Sequence, residues 1–282
     1  MLKRSQLAAM NIQYQYFPFT RFLDDAVKYG FFQVEVWAAA PHFHPEDLLY
    51  GEIARVRDEI VRRGLRVSCY TPEQCVYPIN LAADRQEARR RSLRFFENHI
   101  RAAAELGADR LLVTSGWGYF DGSLGAEPWR WARDGLRELC LCAEAHGISL
   151  GLEVLRRDES DLVHDLPSLL RMLDDTNAGN LGAVLDTCPM SLNGETPADY
   201  AKALGAKLLH VHFIDGMPGG HLAWGDGALD AKDCLDQLEA AGYQGALSLE
   251  ITDRRYFMEP GESLRRSTET LCPLLDGAEH NP

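Results

Sequence analysis

The chain has 282 residues, yet no apolar run approaches the roughly 20 that a membrane-spanning helix needs. Its start, Met1-Leu2-Lys3-Arg4, also lacks the apolar stretch of a secretory signal, so a cytoplasmic protein is expected. No Cys-x-x-Cys pair occurs. The seven cysteines (69, 75, 140, 142, 188, 234 and 272) are odd in number and scattered, which signals neither a zinc knuckle nor a disulfide framework. Basic residues are few: 29 Lys and Arg face 42 Asp and Glu, for a net charge of −13. Such an acidic field repels phosphate backbones, so no nucleic-acid partner is expected, although a single local cluster could still hold one phosphate. The first strand-like segment runs into Gln13-Tyr14-Gln15-Tyr16-Phe17, without the glycine-rich turn that opens a dinucleotide-binding sheet. Gly216-Met217-Pro218-Gly219-Gly220 lacks the Gly-Lys-Ser/Thr ending of a phosphate loop.

What is present is a steady alternation. Short apolar runs lie near 7–12, 31–36, 65–70, 110–115, 148–153, 181–186, 207–214 and 246–251. Segments of helical character separate them, clearest at Leu48–Arg63 and Asp84–Leu106, where apolar residues recur at three- and four-residue spacing. Gly30, Gly64, Gly107, Gly147 and Gly242 stand where helices should close before the next strand. Eight strand–helix units without a Pro/Ser-rich linker favour an α/β protein built as one (β/α)₈ TIM barrel over residues 1–282, with 277–282 as a flexible tail. An open doubly wound sheet is the competing architecture.

In a barrel, reactive side chains gather where strands run out into the following loops. Four successive runs end in residues of metal-ligand type: Leu152-Glu153, Leu185-Asp186, Val211-His212 and Leu249-Glu250. A buried charge costs several kcal/mol unless it is paired or bound to metal. Any one of these residues could be an ordinary salt-bridge partner. Together they would meet on one rim, and three carboxylates with one imidazole suit a single divalent cation. A hard or borderline cation such as Mn²⁺, Co²⁺ or Mg²⁺ is expected, with Zn²⁺ possible, although a structural zinc site fits poorly. His210 shares the parity of His212 and points to the same face at a different depth, as a core or supporting residue.

At these residues the chain resembles the sugar isomerase/epimerase superfamily that shares the xylose isomerase-type barrel. It is most similar there to ketose 3-epimerases of the D-tagatose/D-psicose and fructoselysine types. The segments that carry the resemblance are Val34-Glu35-Val36-Trp37, Pro41-His42, Tyr70-Thr71-Pro72-Glu73, Leu152-Glu153-Val154 with Glu159-Ser160, Leu185-Asp186-Thr187-Cys188-Pro189, the block 207–227, and Leu249-Glu250. The resemblance implies one Mn²⁺-type ion held by Glu153, Asp186, His212 and Glu250. It also implies that Glu153 and Glu250 act as the acid/base pair, and that Glu159, with Arg157 beside it, contacts the substrate near its carbonyl end. Homodimers or homotetramers are implied as well. Pro189 and Pro218 stand where the tagatose type carries a substrate histidine and arginine, so those two contacts do not carry across.

The chemistry implied is 3-epimerisation of a ketose or ketose derivative, free or fructosamine-like. Removing the proton beside a ketone gives an enediolate, and a divalent ion with two flanking carboxylates makes that step accessible. Aldose–ketose isomerisation or sugar dehydration could use the same cup. A metal endonuclease would need further histidines and a basic groove, and a binding barrel or complex subunit would not need all four ligands. Trp37, Tyr70, Trp117 and Trp224 are candidates for an apolar wall over a sugar, or for core. Glu73 and His42 are candidates for substrate contact, or for orienting neighbours; His221 is a candidate for a substrate contact or lid element, or is a solvent-exposed loop histidine.

Overall fold

The eight runs are apolar at nearly every position, so both of their faces must be covered. A parallel sheet closed on itself, with helices outside, meets that demand. The computed structural model describes residues 2–46, 51–74, 78–217 and 219–276. In it, eight parallel strands close into a barrel in chain order. They are β1 (Leu7–Met10), β2 (Gln33–Ala38), β3 (Arg66–Pro72), β4 (Arg110–Val113), β5 (Ser149–Glu153), β6 (Leu181–Asp186), β7 (Leu208–His212) and β8 (Leu247–Leu249).

Around them, among the described residues, run α1 (Phe19–Lys28), α2 (Ile53–Arg62), α3 (Gln86–Leu106), α4 (Glu127–Ala145), α5 (Leu166–Thr176), α6 (Thr187–Leu192), α7 (Pro197–Leu204), α8 (Ala231–Ala240) and α9 (Gly261–Leu271). The two clearest sequence expectations correspond to α2 and α3. Residues 48–50, Cys75, Pro218 and the expected tail 277–282 lie outside the described residues. Among those described, no helix is long and apolar enough to cross a membrane, and six cysteines are free. The five glycines expected to close helices all have positive φ, between 68° and 88°. Gly107 shows why: at φ 88° it turns α3 into a left-handed cap, and its N–H reaches the carbonyls of Ala103 and Ala104.

Side chains alternate across each strand, so one set faces the helices and the other faces the barrel axis. The helix-facing set, including Val34, Val36, Tyr70, Leu111, Leu152 and Leu185, merges with the helices into one large apolar cluster. The inward set forms smaller clusters, Met10 with Trp37 and Ala39, and Cys69 with Leu112 and Val184. The wholly buried polar residues of the inward set include Glu35, His210, His212 and Ser248.

Candidate metal centre and active site

Each residue of the cup is aimed by its strand. Glu153 and Asp186 are the last residues of β5 and β6, His212 is the last of β7, and Glu250 follows β8 directly. Hydrogen-bonded pairing sets Asp186 opposite His212 and Glu153 opposite Val184, and this brings the chain ends to one rim. One ligand-type atom from each of the four lies within 4.8 Å of all the others.

Nearby groups fix the orientation of each member. Asp186 also caps α6, its Oδ1 accepting the N–H of Cys188 at 2.7 Å, which leaves Oδ2 for the cup. His212 Nδ1 lies 2.7 Å from Glu153 Oε1 and 3.0 Å from Glu250 Oε2. His221 closes the ring from the loop after β7, with Nε2 3.0 Å from Asp186 Oδ2 and 3.4 Å from Glu250 Oε2. That loop is gathered by buried Asp215, whose carboxylate accepts the N–H groups of Gly225, Gly227 and Leu229.

The electrostatics are those of crowded carboxylates. Burial raises the Glu153 carboxyl, and the charges of Glu250 and Asp186 add to this against the opposing pull of His212. Burial would also raise Glu250, but His212 and His221 outweigh it and hold that carboxyl low. His212 is pushed well up, because Glu250, Glu35 and Glu153 overcome the effect of its burial. Asp186 and Glu250 overcome burial in the same way at His221.

Whether these residues suit a cation is decided by two atoms. His212 Nδ1 and Glu153 Oε1 are buried and only 2.7 Å apart, yet neither has a hydrogen-bond partner. Buried polar atoms left this way are rare and costly. Three carboxylates and one imidazole nitrogen directed at a common point are what a divalent ion requires. The donor set fits.

Beside the cup, the loops after β1, β2, β3 and β8 enclose a cavity of about 630 Å³ lined by Ile12, Gln13, Tyr16, Trp37, Glu73 and Arg254, among others. Trp37 is pinned there twice. Asn11 bonds both its backbone N–H and its carbonyl, and its indole N–H donates to Glu73 at 2.8 Å. Tyr16 and Phe257 pack at the rim with tilted rings, their centres 4.9 Å apart.

Other expected contacts fall elsewhere. Tyr70 is turned to the outer face of β3, fully buried, with its hydroxyl hydrogen-bonded to His99 Nδ1 of α3 at 2.7 Å; its neighbours Cys69 and Thr71 take the inward positions. It belongs to the helix layer and not to a sugar site. Trp224 packs on Phe213 with ring centres 4.4 Å apart and donates to its carbonyl, again as core. His42 is buried between Asn11 and the Phe17 carbonyl, where it orients neighbours. Trp117 is half-buried on the loop after β4, its backbone clamped by Asn80. Glu159 and Arg157 lie exposed beyond β5, the first bound by Arg156 and the second by His164. Sequence reasoning assigned no role to Glu35 or Asp215. Both are single acids in otherwise apolar runs, which is the one signal that could have exposed them.

A family model described as a xylose isomerase-like TIM barrel matches residues 23–274, and the chain belongs to that family. Fructoselysine 3-epimerase of Shigella flexneri is 29% identical over 266 residues, covering 93% of this chain and 95% of that protein. D-psicose 3-epimerase of Enterocloster bolteae is 24% identical, covering 82% and 76% respectively. Among solved structures, an L-ribulose 3-epimerase superposes with a TM-score of 0.80 at 19% identity, over 98% of this chain and 99% of that one. The E. coli 3-keto-D-glucoside 4-epimerase YcjR gives 0.78 at 22%, over 96% and 99%. The relatives are epimerases and isomerases by name, and this chain is an enzyme of that class.

Proposed function

We propose that this chain is a divalent-metal-dependent 3-epimerase of a ketose or ketose derivative. The observation that carries the reading is the cup itself: four ligand-type atoms from four strand ends within 4.8 Å, two of them buried without a hydrogen-bond partner. Glu153, Asp186, His212 and Glu250 would hold the ion, and Mn²⁺ is the cation their chemistry suits first. When bound, a dication supplies electrophilic stabilisation of the charge that develops on the substrate oxygens.

The protein's own residues do the rest. Glu153 and Glu250 come from the fifth and eighth strands, so they flank the cup from two sides. One removes the proton at C3 to give an enediolate, and the other delivers a proton to the opposite face. His221 hydrogen-bonds the rim carboxylates and orients them toward the substrate.

The neighbouring cavity supports a ketose carrying a substituent. Its 630 Å³ falls in the range of about 300–1,000 Å³ that accommodates drug-sized ligands, more than a bare hexose fills. Tyr16, Trp37 and Phe257 provide apolar surface there, and Glu73 and Arg254 provide charges of opposite sign. The fructoselysine 3-epimerase relatives, matched over most of their length, point the same way. Glu73, Trp37 and Arg254 are assigned to the substituent.

The test is to incubate metal-depleted enzyme with a panel of free ketoses, phosphorylated ketoses and fructosamines in D₂O, with and without Mn²⁺. Deuterium at C3 that depends on added metal is expected, with fructosamines the better substrates. Exchange confined to C1 or C2 would assign aldose–ketose isomerisation instead. Metal-independent exchange would remove the cup from the mechanism.

A further inference from the structure

We infer that Glu35, deep in the barrel beneath the cup, is the positioning residue that turns the Nδ1 lone pair of His212 toward the metal. The inference rests on the metal centre proposed above. Glu35 is fully buried in mid-β2. Its Oε1 lies 3.1 Å from His212 Nε2 and its Oε2 2.8 Å from His210 Nε2, and Thr71 Oγ1 donates a short hydrogen bond to Oε1. The β2–β3 register shifts between Val34 and Glu35, the kind of irregularity that re-aims a side chain.

A carboxylate can only accept, so the proton between Glu35 and His212 sits on Nε2. The tautomer is thereby decided. Nδ1, on the opposite edge of the ring, must face the cup as a lone pair when the imidazole is neutral, and it is the nitrogen that lies 2.7 Å from Glu153 Oε1. Ligating histidines commonly donate their other N–H to a carboxylate in this way, and the partner raises the basicity of the ligand. His210 completes the device. It occupies the second carboxylate oxygen, so Glu35 can neither rotate away nor reach the cup itself.

Glu35, His210 and Cys69 also lie close enough together to be considered a metal cluster. Both Glu35 oxygens are already satisfied by donors, so this lower cluster is a hydrogen-bonded support for the metal centre above.

The experiment is Mn²⁺ titration of metal-free wild type and Glu35→Gln, reading free Mn²⁺ by electron paramagnetic resonance alongside the thermal midpoint of each metal-free protein. The loss expected for such a partner is about 10- to 100-fold in Mn²⁺ affinity, with both metal-free proteins folded. A dissociation constant within twofold of wild type would overturn the inference. Wild type that binds no Mn²⁺ would overturn it together with the metal centre, which separates the two failures. A second measurement needs no variant: ¹⁵N spectra of histidine-labelled, Zn²⁺-loaded wild type should show His212 protonated at Nε2 and metal-bound at Nδ1. The reverse assignment would refute the inference even if Glu35→Gln does not fold.

Discussion

The two halves of the barrel mouth are built on different plans. From β5 to β8 every strand ends in a group with a lone pair, and the groups crowd into a sphere a few ångströms across. From β1 to β3 the strand ends, together with the loop that follows Glu250, open into a cavity walled by aromatic rings and amides, with single charges set apart. The histidines register the difference. His42 and His99, on the first half, are pushed down by burial and stay neutral. His212, just as enclosed, and His221, partly exposed, are driven up because carboxylates outweigh burial. Burial alone does not set the charge of an imidazole; the company it keeps does. Under the proposed function, reaction chemistry belongs to one half and substrate selection to the other.

The sharpest way to break this division is to disarm the chemical half. Glu153→Gln and Glu250→Gln should each lower kcat by at least the 10²- to 10⁴-fold that acid–base groups contribute, with Mn²⁺ still bound by the remaining donors. Near-normal turnover in either variant would end the proposed mechanism. Next comes the support for that half. Asp215→Ala strands three backbone N–H groups, and a loss of about 3 kcal/mol in denaturant-melt stability is expected from the usual cost of unsatisfied buried donors. An unchanged melt would show that the loop after β7 does not depend on it. A smaller effect should follow in the selecting half. Trp37→Phe removes the indole N–H from Glu73, and KM for a fructosamine should rise about tenfold, the value of one hydrogen bond to a charged group. The same variant should leave Mn²⁺ affinity untouched; a parallel loss of metal would merge the two halves.

The smallest effect concerns pH. His99 is neutral in the fold, with its pKa well below the ordinary 6.5. The unfolded chain therefore takes up the proton first as pH falls below 6.5, and stability present above that value is lost on acidification. His99→Gln should flatten this part of the stability–pH curve between pH 6.5 and 5, measured by denaturant melts. An identical slope would mean that other groups carry it.

The eight strands and the cup were readable because both are written locally. An apolar run followed by one acid or imidazole needs no knowledge of distant residues, and Glu153, Asp186, His212 and Glu250 could be picked out one strand at a time. Face was harder. Tyr70 stands near a strand end, as a substrate residue should, but only the inward aim of Cys69 and Thr71 reveals that it looks outward. Glu35 was harder still, since its partner His212 lies 177 residues away and the contact exists only once the barrel closes. The helix α6 directly after Asp186 was also unforeseen, because its start is fixed by a carboxylate already counted toward the cup.

Gly227 bears on how this enzyme can change. A methyl group built there would come within 2.2 Å of Asp215 Oδ1, so the segment that carries His221 tolerates little sequence drift. Tyr16, Phe257 and Met258 are more than one-third exposed and constrain no neighbour so tightly. In a random library selected on unfamiliar ketoses, survivors should gather substitutions along that outer rim while position 227 stays glycine. Under the proposed function, substrate range would then change along one side of the mouth while the reaction is kept.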